Sequence, residues 1–297
     1  MPTASKTSVE PAEVFKGGAR GSLNGECSVR ACGAARRKRY EKVKMTRYLA
    51  ELKLSEIERI TESSILIQPV GAIEQHGAHL PFNTDLVVPS RTAEELVDRF
   101  GEELDLWLLP PLAYTKSNEH AWAPGTVWLS AQTLLGVLDD LGRSISKLPA
   151  HKLVFLNGHG GNSALLNVAC REIRVAHGLQ TFLMHPMLPP DQGGESAPGE
   201  LGMGIHGGHA ETSLMMHLEP ALVGPELPTG AIPDWMADND HVRFGGPVSF
   251  GWLSSDFTDE GHIGDPSDAS AEAGKALFES IIRFLAEALG EVAAFPT

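Results

Sequence analysis

Two carboxylates and two histidines lie close together in residues 71–85, which read Gly-Ala-Ile-Glu-Gln-His-Gly-Ala-His-Leu-Pro-Phe-Asn-Thr-Asp. Glu74 and His76 are two residues apart, and in an extended chain that spacing puts both side chains on the same side. Asp85 follows a loop that contains glycine and proline. Carboxylate oxygens and imidazole nitrogens are common ligands of zinc and similar divalent metals. A polar loop whose side chains only cap backbone groups is the alternative, and this segment by itself fits either.

A glycine-rich turn at residues 157–162, Asn-Gly-His-Gly-Gly-Asn, joins an apolar run to a helical pattern. Ligands of open α/β sheets bind at the carboxyl ends of strands, and the glycines beside His159 leave room for a close approach. A turn before a helix could instead cradle a phosphate, but this one matches neither G-x-G-x-x-G nor the P-loop. We therefore favour a metal ligand at His159 over an incidental histidine in a glycine turn.

A third segment, residues 204–213, supplies His206, His209 and Glu211 among small residues. It does not match the H-E-x-x-H pattern of one class of zinc enzyme. Glu211 could simply favour the positive end of a helix dipole. The three segments together are stronger evidence than each alone, because a two-metal site needs a bridging carboxylate plus further carboxylate and histidine ligands for each ion.

The elements that must position these residues alternate between strand and helix. Apolar runs rich in β-branched residues predict strands at 64–71, 104–112, 152–156 and 181–184. Helical spacing of apolar residues predicts helices at 89–99, 131–148, 163–176 and 269–288. Proline- and glycine-rich stretches predict long loops at 189–199 and 219–240. This order indicates an α/β sheet that is covered by helices on both faces.

The composition limits the classes of function. The 297-residue chain has a formal net charge of -14 and is 42% hydrophobic. It can bury a large core, and a chain this acidic is a poor general nucleic-acid binder, because phosphate contacts need clustered Lys and Arg. It contains no apolar run of ~18 residues, so we predict no membrane span. Its three scattered cysteines predict no disulfide framework. We expect a cytoplasmic protein that binds neither nucleic acid nor membrane.

The charge is unevenly distributed along the chain. Residues 1–44 carry ten Lys or Arg and four acids, with few large apolar residues. They have no apolar core of the kind found in a secretory signal, and a basic binding arm is the alternative to a disordered leader. We predict a basic, disordered leader at 1–45 and one α/β domain at 46–297.

The three segments together resemble the creatininase (creatinine amidohydrolase) family. The matching residues are 71–77 with Asp85, 157–159, and 206–208 with 211–213. Weaker matches lie at 117–120, 124–126 and 264–266, and the resemblance covers roughly residues 54 to 289. It implies a three-layer α/β/α sandwich with a mostly parallel central sheet, and a metal-dependent hydrolase that acts on carbon–nitrogen bonds other than peptide bonds.

The resemblance also implies a ligand set for two divalent ions per chain, either zinc or zinc and manganese, with iron as a further candidate. Asp85 would bridge both ions. Glu74 and His159 would complete the protein ligands of one ion, and His76 and Glu211 those of the other. A hydroxide held between the ions would attack an amide-type carbonyl.

Three further roles follow from the same resemblance. His206 stands at the position of the family's catalytic histidine and would carry a proton to the departing nitrogen. Ser117 and His120 would bind the small-molecule amide substrate. The family's assembly implies a homo-oligomer, a hexamer built from dimers.

The choice of substrate stays open at the sequence level. Creatinine amidohydrolase follows its Asn-Gly-His with tyrosine and glutamate, whereas this chain has Gly160 and Gly161, and that enzyme's substrate-covering tryptophan has no counterpart near residues 184–186. Gly-Gly relatives include a formamido-pyrimidine nucleotide deformylase and a mycofactocin-type metallopeptidase. We expect a creatinine amidohydrolase-like enzyme for an amide, cyclic amide or formamide bond. Those two activities are the alternatives, and a non-catalytic nucleotide-binding module is a remote one.

Overall fold

The computed structural model describes residues 45–188, Gly194 and 202–296. The predicted leader, except for Met45, and the predicted loop at 189–199, except for Gly194, lie outside the described residues. The described part belongs to a compact unit that begins at Met45. Among the helices found there, none combines the length and the apolar character that a membrane crossing needs.

The central sheet consists of four parallel strands in the order β2-β1-β3-β4. Their bounds are β1 (Ile65–Val70), β2 (Leu106–Leu108), β3 (Lys152–Asn157) and β4 (Gln180–Met184). All four predicted strands are present. β2 is shorter than the predicted 104–112 at both ends: Asp105 before it has a positive φ of 49°, which is not strand geometry, and Pro110 and Pro111 after it have no N–H to donate. The chain beyond β2 still pairs with β1, since the Leu109 N–H donates to the Ile67 carbonyl at 2.9 Å.

Helices cover both faces of this sheet and complete three layers. The helices are α1 (Thr84–Phe100), α2 (Ala131–Ile145), α3 (Ser163–His177), α4 (His209–Leu218) and α5 (Ala271–Ala294). Alternate side chains of β1 point to opposite faces: Ile65 and Ile67 pack with α1, α4 and α5, whereas Leu66 packs with α2 and α3. The predicted α/β/α sandwich with a parallel sheet is confirmed.

The first helix begins earlier than predicted, and the difference places Asp85. The prediction started α1 at Pro89, but the helix begins at Thr84 and includes Pro89 in its interior. Proline there cannot donate to the Asp85 carbonyl four residues earlier. Two glycines let the strand ends approach this turn closely: a Cβ on Gly71 would lie 2.6 Å from the Asp85 carbonyl oxygen, and a Cβ on Gly158 would lie 2.5 Å from it. Asp85 is thereby packed against the ends of β1 and β3.

The carboxylate of Asp105 ties the start of the described chain to the sheet. It accepts hydrogen bonds from the Ser64 hydroxyl at 2.5 Å, from Arg47 Nη1 at 2.9 Å and from Trp107 Nε1 at 3.0 Å. Burial opposes ionisation of Asp105, but these hydrogen bonds outweigh it and lower the pKa of the carboxyl. Asp105 also has a positive φ of 49°, a conformation that asparagine tolerates better than alanine.

We predict that Asp105→Ala lowers the free energy of unfolding by about 1–3 kcal/mol, because it removes these hydrogen bonds and strains the turn. Because the pKa of Asp105 is lower in the folded protein, its carboxylate stabilises the fold fully above pH ~4. This stabilisation is lost as the pH falls through the pKa of the folded state. Urea denaturation at several pH values measures both effects. Asp105→Asn, which keeps the turn but not the charge, should lose the same pH dependence. Wild-type stability in Asp105→Ala would contradict this account.

Candidate metal centre

The candidate site lies where β1 and β3 end side by side. In the sheet, β2 lies on one side of β1, and β3 lies on the other side. The direction in which successive strands are added to the sheet therefore reverses between β1 and β3. Such a reversal opens a crevice at the carboxyl ends of parallel strands. The segment after β1 carries Glu74 and His76, the turn after β3 carries His159, and the first turn of α1 brings Asp85 to the same place.

Asp85 is shared by two trios of ligand-type side chains. One trio is Glu74, Asp85 and His159, the other is His76, Asp85 and Glu211, and in each the ligand atoms lie within 4.8 Å of one another. Asp85 Oδ1 is 3.0 Å from His76 Nε2, and Asp85 Oδ2 is 2.9 Å from His159 Nδ1. Glu74 Oε2 lies 3.4 Å from His159 Nδ1, and Glu211 Oε2 lies 3.8 Å from His76 Nε2. The structure therefore brings together all five predicted ligands in the predicted grouping.

Backbone carbonyls orient the two histidines of these trios. His76 Nδ1 is 3.1 Å from the Glu74 carbonyl oxygen, and His159 Nε2 is 2.9 Å from the Lys116 carbonyl oxygen. A carbonyl can only accept, so each of these nitrogens carries the proton. The opposite nitrogen of each ring faces the carboxylates. Although burial opposes it, the neighbouring carboxylates raise the pKa of His76 to about 10 and the pKa of His159 well above its ordinary value, so each ring also holds a proton on this side. A divalent cation bound here would take the place of those two protons.

Burial makes this cluster electrostatically costly. Glu74, His76, Asp85 and His159 are all nearly or completely buried. Burial raises the pKa of Glu74 well above the usual carboxylate range, with Asp85 adding to the effect. Burial likewise raises the pKa of Glu211 to about 7, again with a contribution from Asp85. Carboxylates packed this tightly need positive charge beside them.

The donor set fits divalent cations. Glu74 Oε1 and Asp85 Oδ2 are buried acceptors that receive no hydrogen bond from the described residues. The contact of Asp85 Oδ2 with His159 is short, but it lacks hydrogen-bond geometry. Buried carboxylate oxygens with free lone pairs, beside imidazole nitrogens that point at the same place, match the ligand chemistry of zinc and of manganese.

His206 stands at the edge of the same cluster. Its Nε2 is 2.5 Å from the Gln75 carbonyl oxygen and so carries the proton, which leaves Nδ1, 3.4 Å from Glu74 Oε1, as the free base. Burial, together with the charge of His76, lowers the pKa of His206 well below its ordinary value. His206 lines the cavity, as a proton carrier should. It also forms a third group of ligand-type atoms with Glu74 and His76.

The two residues predicted to bind substrate occupy different positions. His120 lines the cavity and stacks on His206, with ring centroids 4.1 Å apart. Ser117 is completely buried, and its hydroxyl donates a hydrogen bond to the Glu74 carboxylate. It is absent from the cavity wall that the described residues form. The geometry therefore assigns Ser117 to holding Glu74, which differs from the predicted contact with substrate.

An aromatic wall that sequence analysis missed lines the same cavity as residues of both ligand trios. The cavity has a volume of about 390 Å³, and Phe244, Phe250 and Trp252 line one side of it. Phe244 packs against both of the others, with ring centroids 5.4 Å from Phe250 and 5.5 Å from Trp252. The Trp252 ring also lies edge-on to His120 at 6.3 Å. These residues come from a stretch with neither helical nor strand periodicity. Their aromatic character was therefore the one signal in the sequence that could have pointed to a cavity wall.

Comparison with known proteins agrees with this geometry. The family model described as creatinine amidohydrolase matches residues 50–289. A mycofactocin precursor peptide peptidase of Mycolicibacterium smegmatis is 32% identical over 226 residues, which cover 75% of this chain and 83% of that protein. A creatinine amidohydrolase of Pseudomonas putida is 32% identical over 249 residues, 76% of this chain and 89% of that protein.

A solved structure described as a manganese form of creatininase superposes with a TM-score of 0.65 at 26% identity, covering 85% of this chain and all of that one. The matched region includes every residue of the two trios. The family predicted from the three motif segments is thus confirmed, and with it the class of enzyme. The chain is a hydrolase that belongs to the creatininase family.

Proposed function

We propose that this hydrolase uses two divalent metal ions to cleave an amide-type C–N bond other than a peptide bond, as in a cyclic amide or a formamide. The observation that carries the proposal is the position of Asp85, whose carboxylate is common to both ligand trios. Glu74 and His159 would serve one ion, and His76 and Glu211 the other. Zinc and manganese are the proposed metals. Solved creatininases, described as a zinc–zinc form and a manganese form, support that choice.

When bound, such ions lower the pKa of a water molecule and polarise a carbonyl group. The chain's own residues supply the rest of the reaction. Asp85 and Glu74 hold the site rigid, since both are buried and Glu74 is fixed by Ser117. His206 Nδ1 takes a proton from the attacking water and delivers it to the departing nitrogen. One water is consumed, the C–N bond breaks, and a carboxylate and an amine leave.

A peptide bond is the second candidate, and the aromatic wall favours it. A cavity of about 390 Å³ is within the range that holds ligands larger than a single small ring. Its apolar side, formed by Phe244, Phe250 and Trp252, suits a substrate with an apolar side chain. The peptidase relatives, at 32% and 35% identity, support this candidate as much as the creatinine amidohydrolase at 32% supports the first. A panel of creatinine, formamido-pyrimidines and short peptides separates the candidates, because the products are creatine, formate and amino acids respectively.

The aromatic wall gives a quantitative prediction for this panel. We expect Trp252→Ala to lower kcat/KM for a substrate with a large apolar group by about 10- to 100-fold, since losing such a contact costs about 1–3 kcal/mol. Turnover of a small formamide should change little. Trp128→Ala is a matched control, because Trp128 is 45% exposed and is not among the described residues that line the cavity. An equal loss for both substrates would show that the wall does not select the substrate.

We also propose the assembly, domain extent and location that the resemblance and composition suggest. The exposed apolar side chains Tyr114, Trp122, Val127 and Trp128 support a homo-oligomer, a hexamer by analogy with the family. Sedimentation velocity tests this proposal. The catalytic domain would occupy 46–297, and its location would be cytoplasmic.

A further inference from the structure

Glu119 is a buried carboxylate that neither ligand trio uses. It lies in the 3₁₀ turn Asn118–His120, and the residue is only 6% exposed. Its Oε1 is 3.3 Å from His159 Nε2, and its Oε2 is 2.7 Å from Lys116 Nζ. Glu119 therefore reaches the ring of His159 on the side that faces away from Asp85 and Glu74.

The glycine at position 161 makes this contact possible. A Cβ on Gly161 would lie 1.8 Å from Glu119 Oε1 and 2.5 Å from His159 Nε2. Atoms that are not bonded to each other do not come so close. Any side chain at position 161 would therefore displace the Glu119 carboxylate, the His159 ring or both. The second glycine of the Asn-Gly-His-Gly-Gly turn thus leaves the space that the Glu119 carboxylate occupies.

The fold holds Glu119 from its backbone as well. The Ser254 hydroxyl donates to the Glu119 carbonyl at 3.2 Å, and Trp122 Nε1 donates to the same hydroxyl at 2.6 Å. Lys116 acts twice, because its ammonium pairs with Glu119 and its carbonyl accepts from His159 Nε2 at 2.9 Å. Segment 116–122 therefore supplies both oxygens that lie at His159 Nε2, and Ser254, which is distant in sequence, holds the backbone of that segment.

We propose that Glu119 is a positioning residue for the metal site: it holds His159 so that Nδ1 faces Asp85 and Glu74, with Gly161 providing the space and Lys116 fixing the carboxylate. Histidine ligands generally donate their second N–H to a carboxylate or carbonyl, and this contact fixes the ring and strengthens it as a ligand. Here the Glu119 carboxylate and the Lys116 carbonyl both lie at that N–H. The inference rests on the proposed metal-dependent function.

The test is the affinity for Zn²⁺, measured by competition with a chelating dye on the full-length protein. Loss of such a partner typically weakens metal binding about 10- to 100-fold. We expect Glu119→Ala to show that loss for one ion of the two, the ion on the His159 side. Glu119→Gln, which keeps a polar oxygen beside His159 Nε2 but removes the charge, should retain part of the affinity. Gly161→Ala should resemble Glu119→Ala although it leaves the carboxylate in place.

Gly251→Ala is the matched control. Gly251 also lines the cavity, but a Cβ there would meet nothing within 4 Å, so its Zn²⁺ affinity should equal that of the wild type. Wild-type affinity in both Glu119→Ala and Gly161→Ala would overturn the inference and leave the proposed function standing. Failure of the wild-type protein to bind Zn²⁺ would overturn both. If Glu119→Ala does not fold, Glu119→Gln and Gly161→Ala still decide the question.

Discussion

Replacing Asp85 with asparagine is expected to abolish tight metal binding and to reduce turnover by ~10³-fold or more, because metal ions contribute several kcal/mol of transition-state stabilisation. Asp85 is the one side chain that both ligand trios share. Asparagine keeps the shape but removes the charge and one of the two acceptor oxygens. Elemental analysis of the purified variant, together with steady-state kinetics on the best substrate of the panel, measures both effects.

The control for this prediction is Asp139→Asn. Asp139 is an exposed carboxylate on α2 that pairs with His177 and lies outside the cavity wall seen in the described residues. This variant should keep the metal content and the turnover of the wild type. Two ions per chain in Asp85→Asn, or full activity in that variant, would contradict the shared role of Asp85.

Replacing His206 with alanine is expected to give a folded, metal-loaded protein whose turnover is about 10²- to 10⁴-fold slower, the usual cost of losing a general acid–base residue. His206 lines the cavity with Nδ1 free and Nε2 bound to the Gln75 carbonyl. It can therefore exchange a proton at Nδ1 without turning its ring. Metal content and kcat, measured on the same preparation, check the prediction.

Metal content separates two roles for His206. If the variant loses an ion, the trio of Glu74, His76 and His206 is a true ligand set, and His206 is a ligand rather than a proton carrier. His209→Ala serves as the control, since His209 lies three residues further on but is not part of the cavity that the described residues enclose. Unchanged kcat in His206→Ala would remove that residue from the mechanism.

Much of the fold could be predicted from the sequence because its signals are local. The apolar runs of β1 and β3 predict buried parallel strands, and their ends predict where ligands gather. Glu74, His76 and His159 follow those strands within a few residues. A correct prediction of the strands therefore also predicts where these three side chains lie. Even the end of β2 departs from prediction for a local reason, the two prolines that follow it.

The features that could not be predicted depend on contacts between distant segments. Asp85 belongs to a helix rather than a loop, because close packing against Gly71 and Gly158 stabilises a helical turn ahead of Pro89. Ser117 binds the carboxylate of Glu74, 43 residues away in sequence, instead of facing the cavity. The aromatic wall of Phe244, Phe250 and Trp252 forms from an irregular segment whose path no periodicity describes.

Anomalous diffraction from crystals grown with Zn²⁺, recorded at the zinc absorption edge, shows directly whether two cations share the carboxylate of Asp85. We expect two peaks about 3.5–4 Å apart, the usual spacing of two-metal sites, on either side of Asp85, one near His159 and one near His76. A single peak, or peaks that do not contact Asp85, would mean that Asp85 does not bridge two ions.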